Sequence, residues 1–276
     1  MNFEIIPACE IALAEQAKIM NAAFAGYFGG WTDLNAEMLA KFLCLQGSDI
    51  FYSRFIRADR EWMGFAYINR TGNILRLSGM GIVPAARGTG AAGKLLDHLF
   101  AEMKSRRDEA MTLEVIQQNP RAIALYRRHG FRETAQLFGW RRGGAVAPPT
   151  ESDETITEVS VQTALDTPGG RNYPSVPWQI TRYAVAKVEA TRAFCAGNAH
   201  VVIGDANAPV IRLHGLFSRP NEWKDLRATL AGVVQQFPNR EFFTPAIFPE
   251  DFGENIFQPL GFVRETLSQF FMRYDF

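Results

Sequence analysis

Along the first half of the chain, the apolar positions switch between a period of two and a period near 3.6. Phe3 to Ile6 predicts a strand. Ile11, Leu13, Ala14, Ala17, Ile19 and Met20 form a helical stripe that runs toward Gly29-Gly30. Thr32-Asp33 then offers capping residues for a second helix over Leu34 to Leu45. Asp49 to Ala58 and Glu61 to Arg70 predict a hairpin, and Ile74 to Val83 a third strand of period-two character. Gly79 and Gly81 inside it mark a bulge or a close backbone approach by a ligand. A helix over Ala91 to Arg107, a strand over Met111 to Ile116, a helix over Pro120 to His129 and a strand over Thr134 to Arg141 follow. This order predicts an α/β or α+β fold around one mixed sheet.

Gly143 to Pro149 has small apolar residues, two prolines and no periodicity, and the acidic stretch Glu151 to Glu158 comes next. The expected organisation is a first domain over 1–142, a linker over 143–158 and a second domain over 159–276. The second half partly repeats the first. Gly130-Phe131-Arg132-Glu133-Thr134 recurs, with one residue added, as Gly261-Phe262-Val263-Arg264-Glu265-Thr266. Val210 to Phe217 mimics the strand Ile74 to Val83, and Glu222 to Gln236 mimics the helix after it. Matching Met80-Gly81-Ile82-Val83 with His214-Gly215-Leu216-Phe217 puts Asn221-Glu222-Trp223-Lys224 opposite Arg87-Gly88-Thr89-Gly90. Matching the Gly-Phe pairs puts Phe257 opposite Tyr126 and Glu250 opposite Asn119. The pattern reads as a duplication whose second copy has lost its glycine loop.

Composition narrows the chemistry. A length of 276 residues suits two domains. With 29 basic and 29 acidic residues there is no basic field to hold nucleic acid. No apolar run approaches the roughly 20 residues of a membrane span, and Met1 to Glu10 carries no basic leader. Cys9, Cys44 and Cys195 are odd in number, and His98, His129, His200 and His214 are scattered. Neither set has metal-ligand spacing, so a reducing, cytoplasmic setting without a metal is expected.

Arg87-Gly88-Thr89-Gly90-Ala91-Ala92 joins a strand to a helix. A loop that small can bring backbone N–H groups against an anion, and the helix adds its unpaired first-turn amides and positive dipole end. Met80-Gly81-Ile82-Val83-Pro84 precedes it. Leu113-Glu114-Val115, Asn119, Ala122, Leu125-Tyr126 and Gly130-Phe131 follow. Together these resemble the GNAT acyltransferases, whose loop reads Q/R-x-x-G-x-G/A and whose next strand and helix read L-E-V-x-x-x-N-x-x-A-x-x-L-Y-x-x-x-G-F. The resemblance spans Met1 to Arg142. It implies two GNAT-like domains, each a mixed central sheet flanked by helices, the second degenerate.

The resemblance also implies acetyl-CoA as co-substrate, and a primary amine of a small molecule or peptide N-terminus as acceptor. The loop Arg87 to Ala92 and the backbone of Ile82 and Val83 would hold the cofactor; the side chains of those two residues can equally pack the core. Tyr126 is the expected general acid, since a phenol of pKa about 10 keeps its proton at neutral pH. Glu114 is either the base or a strand carboxylate paired with an Arg. Asn119 caps the helix that begins at Pro120 and is compatible with a contact to the pantetheine arm. Tyr27, Phe28 and Trp31 would line the acceptor site, unless they plug the core. The expected protein is a monomer or homodimer with no nucleic-acid or membrane partner. The alternative function is a non-catalytic acetyl-CoA-binding regulator.

Overall fold

The computed structural model describes residues 2–27, 33–147, 155–167, 176–219 and 222–276. Phe28, Trp31 and Thr32, residues 148–154 of the expected linker, and Asn221 lie outside the described residues. The chain divides into two compact units, Met1–Thr134 with Phe271–Phe276, and Ala135–Phe270.

In the first unit, β1 (Phe3–Pro7) leads to α1 (Leu13–Phe24), α2 (Ala36–Gln46), and the strands β2 (Asp49–Ala58), β3 (Glu61–Thr71) and β4 (Ile74–Ile82). Then come α3 (Ala91–Arg106), β5 (Ala110–Ile116), α4 (Pro120–Arg128) and the first residues of β6 (Arg132–Arg142). The strands lie in the order β1-β2-β3-β4-β5. β1 to β4 pair antiparallel, and β4 pairs β5 in parallel, as a strand–helix–strand crossover requires. The sequence-predicted elements are all present. One cap differs: α2 starts from Asn35, whose side chain accepts the Met38 N–H at 2.9 Å, and not from Asp33.

The sheet is mixed and covered on both faces. α1 and α2 bury Met20 and Leu39 with Phe55, Phe65 and Tyr67. α3 packs on β2, β3 and β4 with Leu95, Leu96, Leu99 and Met103 fully buried. Each such side chain contributes roughly 1.5–3 kcal/mol through apolar burial. The chain's last residues complete this unit. Phe276 N–H donates to Glu109 O at 2.9 Å, and the Tyr274 ring stacks on Phe100 with centroids 4.7 Å apart.

The second unit takes Ala135 onward of β6, then β7 (Thr157–Val159), α5 (Val161–Leu165), α6 (Arg182–Val185), β8 (Arg192–Ala196) and β9 (Ala199–Ile203). It continues with β10 (Val210–Phe217), α7 (Trp223–Gln236), β11 (Glu241–Pro249) and β12 (Val263–Asp275), of which this unit holds the residues up to Phe270. Its strand order is β12-β6-β11-β10-β9-β8-β7. β9 and β10 pair antiparallel and β10 and β11 parallel, repeating the β3-β4-β5 arrangement. Its core gathers Trp140, Phe194, Leu230, Phe242, Phe248 and Phe257. Among the described residues, no helix is long and apolar enough to cross a membrane.

Candidate active site

The site begins where two parallel strands part. β4 and β5 are paired from Ile74↔Ala110 to Leu77↔Leu113 and no further. Ser78 is the extra residue of a β-bulge: Tyr67 faces Gly79 while Ile68 faces Leu77. A bulge sharpens the local bend and twist, so β4 swings away from β5 at this point. From Ser78 to Ile82 the β4 edge that would face β5 has no ladder partner, which leaves peptide groups for a ligand. Gly81 has a packing reason of its own. A Cβ there would lie 2.8 Å from the Phe65 ring and 2.9 Å from Ala23 Cβ, so α1 could not approach β4.

The glycine loop closes the end of this fork. Gly88 and Gly90 have φ of +83° and +89°, which side chains disfavour, and a Cβ at either would meet nothing within 4 Å. The space above the loop is therefore open. Thr89 N–H is used on Ala86 O and Arg87 N–H on Pro84 O. The first helical bond of α3 is Lys94 N–H to Gly90 O at 3.1 Å. The amides of Gly88, Gly90, Ala91, Ala92 and Gly93 find no acceptor among the described residues. Five amides around alternating left-handed glycines, at a positive helix end, make a set of donors suited to an anion.

Three expected contacts change character. The Arg87 guanidinium is tied to the backbone, to Ile82 O at 3.3 Å and Ala23 O at 3.1 Å, so it braces β4 against the end of α1. Val83 donates its N–H to Met63 O and accepts from Ala86 N–H, both at 2.9 Å. Its amide is spent within the chain, which corrects the expectation of a free Val83 backbone and leaves the edge up to Ile82. Glu114 meets Arg76 across the fork base, at 2.8 Å to Nε and 2.7 Å to Nη2, with side chains only 4% and 2% exposed. Gln46 Oε1 accepts from the other guanidinium nitrogen at 3.2 Å. Of the two readings of Glu114, the geometry realises the ion pair. A buried carboxylate gripped this way is committed to the ion pair, because releasing it would strand Arg76.

Tyr126 is 8% exposed and sits edge-to-face with Phe131 at 5.7 Å. Its hydroxyl donates to no described residue. Burial, with Tyr27 nearby, raises its pKa well above the ordinary phenol value. Asn119 caps α4 as expected, its Oδ1 accepting from Ala122 N–H at 3.2 Å with Pro120 following. The Asn119 side chain also hydrogen-bonds Tyr27, whose own pKa is raised by burial. Tyr27, Asn119 and Tyr126, proposed from the sequence for three separate tasks, converge in one place. The sequence carried no sign of that convergence, or of Arg76 as the partner of Glu114.

Residues 17–131 match the family model described as Acetyltransferase (GNAT) family. The first unit carries a GNAT acetyltransferase domain. Solved GNAT structures share the fold over 99% of this chain. A GCN5-related N-acetyltransferase from Anabaena variabilis has a TM-score of 0.65 at 13% identity, with 72% of that chain covered. One from Sphaerobacter thermophilus has 0.60 at 14%, with 95% covered. A tandem GNAT protein from the clavulanic acid biosynthesis pathway has 0.62 at 13%, with 98% covered. The fold of these structures therefore extends through both units, and acyl transfer is the chemistry of the family to which the matched domain belongs. Among the described residues, no cluster of His, Cys, Asp or Glu could hold a metal ion.

Proposed function

We propose that the first unit is an acetyl-CoA-dependent N-acetyltransferase acting on a primary amine of a small molecule or peptide N-terminus. The observation that carries this reading is the fork with its cradle: an unpaired β4 edge running into five free amides above open space. The residues fit the cofactor. Gly88, Gly90, Ala91, Ala92 and Gly93 would hold its pyrophosphate, and the edge from Ser78 to Ile82 its amide-rich arm. When bound, the cofactor supplies an acyl thioester.

Tyr126 Oη holds a proton through neutral pH and serves as the general acid for the leaving sulfur. The raised pKa keeps the proton on the phenol at neutral pH, so that Oη is present as a hydrogen-bond donor to the sulfur as charge develops on it. With Glu114 spent on Arg76, the acceptor amine reaches the site already neutral, having lost its proton to solvent. The rate should then rise with pH up to the amine's own pKa.

The experiment is a panel of primary amines with acetyl-CoA, read by release of free thiol. Thiol release with acetylated amine supports the reading. The commitment of Glu114 to Arg76 favours one alternative, a regulator that binds acetyl-CoA without turnover. That alternative predicts a thermal shift with acetyl-CoA and no thiol release from any amine.

A further inference from the structure

Tyr27 stands at the end of α1, after Gly26, in a turn closed by Tyr27 N–H to Phe24 O at 2.9 Å. Its ring is set by an edge-to-face contact with Phe24 at 4.9 Å, and Phe24 in turn meets Phe65 of β3 at 5.8 Å. The hydroxyl is thus aimed by packing. It hydrogen-bonds the Asn119 side chain, whose Oδ1 also accepts the Ala122 N–H. Asn119 is the N-cap of α4, and Tyr126 follows seven residues later, about two helical turns along. Helical side chains lean toward the N-terminus. The Tyr126 ring therefore reaches back up α4 toward Asn119, and its hydroxyl, with no acceptor of its own among the described residues, arrives beside Tyr27.

We infer that Tyr27 is a positioning residue for Tyr126, acting through Asn119 to hold the start of α4 and the tyrosine two turns along it. This rests on Tyr126 being the proton donor. It moves Tyr27 from the acceptor wall, where the sequence placed it, to the acid side of the site. Phe at 27 would keep the ring contact with Phe24 and lose only the hydroxyl.

The test uses the full chain labelled at tyrosine Cζ with carbon-13, with Tyr27 and Tyr126 assigned by single Phe replacements. Tyr27→Phe is expected to move the Tyr126 resonance, and Tyr183→Phe, in the second unit, to leave it in place. Asn119→Asp keeps the cap acceptor, removes the amide donor, and should move both resonances. A Tyr126 resonance unchanged by Tyr27→Phe overturns the inference. In turnover, Tyr27→Phe should lower kcat about tenfold with the KM for acetyl-CoA within about twofold, and add nothing in a Tyr126→Phe background. Fully additive losses would assign Tyr27 an independent role. A Tyr126→Phe variant with unchanged turnover would instead overturn the acid assignment, an outcome separable from the resonance test.

Discussion

The two units build the same fork and finish it differently. β4 and β5 part after Leu77 and Leu113, and β10 and β11 part after Arg212 and Phe243. Each first strand is bulged at that point, at Ser78 and at His214. Even the turn that leads into β6 and into β12 is shared. Phe131 N–H bonds Tyr126 O at 3.1 Å past a left-handed Gly130, and Phe262 N–H bonds Phe257 O at 3.0 Å past a left-handed Gly261. At the fork mouth the likeness ends. α3 starts from Gly90 with open amides. α7 starts from Glu222, whose carboxylate accepts from Arg219 N–H at 3.2 Å, and Asp225 adds a second acid in its first turn. The turn Trp178–Ile180 packs on both β10 and β11, and Ile180 is buried among Leu213, Leu216 and Phe248. The fork is thus separable from the open amides that the first unit sets at its mouth. Two carboxylates at the helix start and Phe257 in place of a phenol would each oppose binding or chemistry.

The largest effect should come from the phenol. Tyr126→Phe is expected to lower turnover by roughly 10²–10⁴ while acetyl-CoA affinity stays nearly intact. A fall under about threefold would reduce Tyr126 to packing. Phe257→Tyr in the second unit should confer no activity.

The ion pair at the fork base comes next. Glu114→Gln leaves Arg76 buried without its partner and should cost about 3–5 kcal/mol of stability by denaturant unfolding. Loss of activity at full stability would restore Glu114 as the base.

The local signals were legible because each answers a local demand. Gly88, Gly90 and Gly130 are read as glycines because their backbones are left-handed, and Asn119-Pro120 because that pair starts a helix. Pairing across distance was not legible. Arg76 and Glu114 lie on neighbouring strands, and only the register brings them together. The domain limit is similar: β6 and β12 have alike alternation, so periodicity cannot say that Phe271–Phe276 complete the first unit while Ala135 onward joins the second. Glycine matching also slipped by two residues. The bulges align Ser78 with His214, whereas sequence matching put Met80 there, and Trp223 and Lys224 turn out to be helical.

Ending the chain after Arg142 removes Phe271–Phe276, uncovers Phe100 and Phe131, and takes β11 from the Phe242↔Arg142 ladder. Sedimentation should show an oligomeric or poorly soluble fragment. A fully active monomer would mean that β6 can fill the vacant place. The smallest effect is at the second bulge. Burial, with the Arg212 charge beside it, lowers His214 to about 4. The folded state then binds that proton less readily than the unfolded chain, so the contribution is present above about pH 6.5 and is lost as pH falls toward 4. His214→Asn should flatten stability over that window. An unchanged slope would contradict the lowered pKa.

The comparison is tested most directly by titration calorimetry of acetyl-CoA into the full chain, with Gly90→Val beside it. One site per chain is expected, and none in the variant, where a branched side chain is forced into a left-handed backbone at the loop. A hundredfold excess over Kd should stabilise the parent by about 2.7 kcal/mol and the variant not at all. Two equivalent sites per chain, or one site that survives in Gly90→Val, would contradict it.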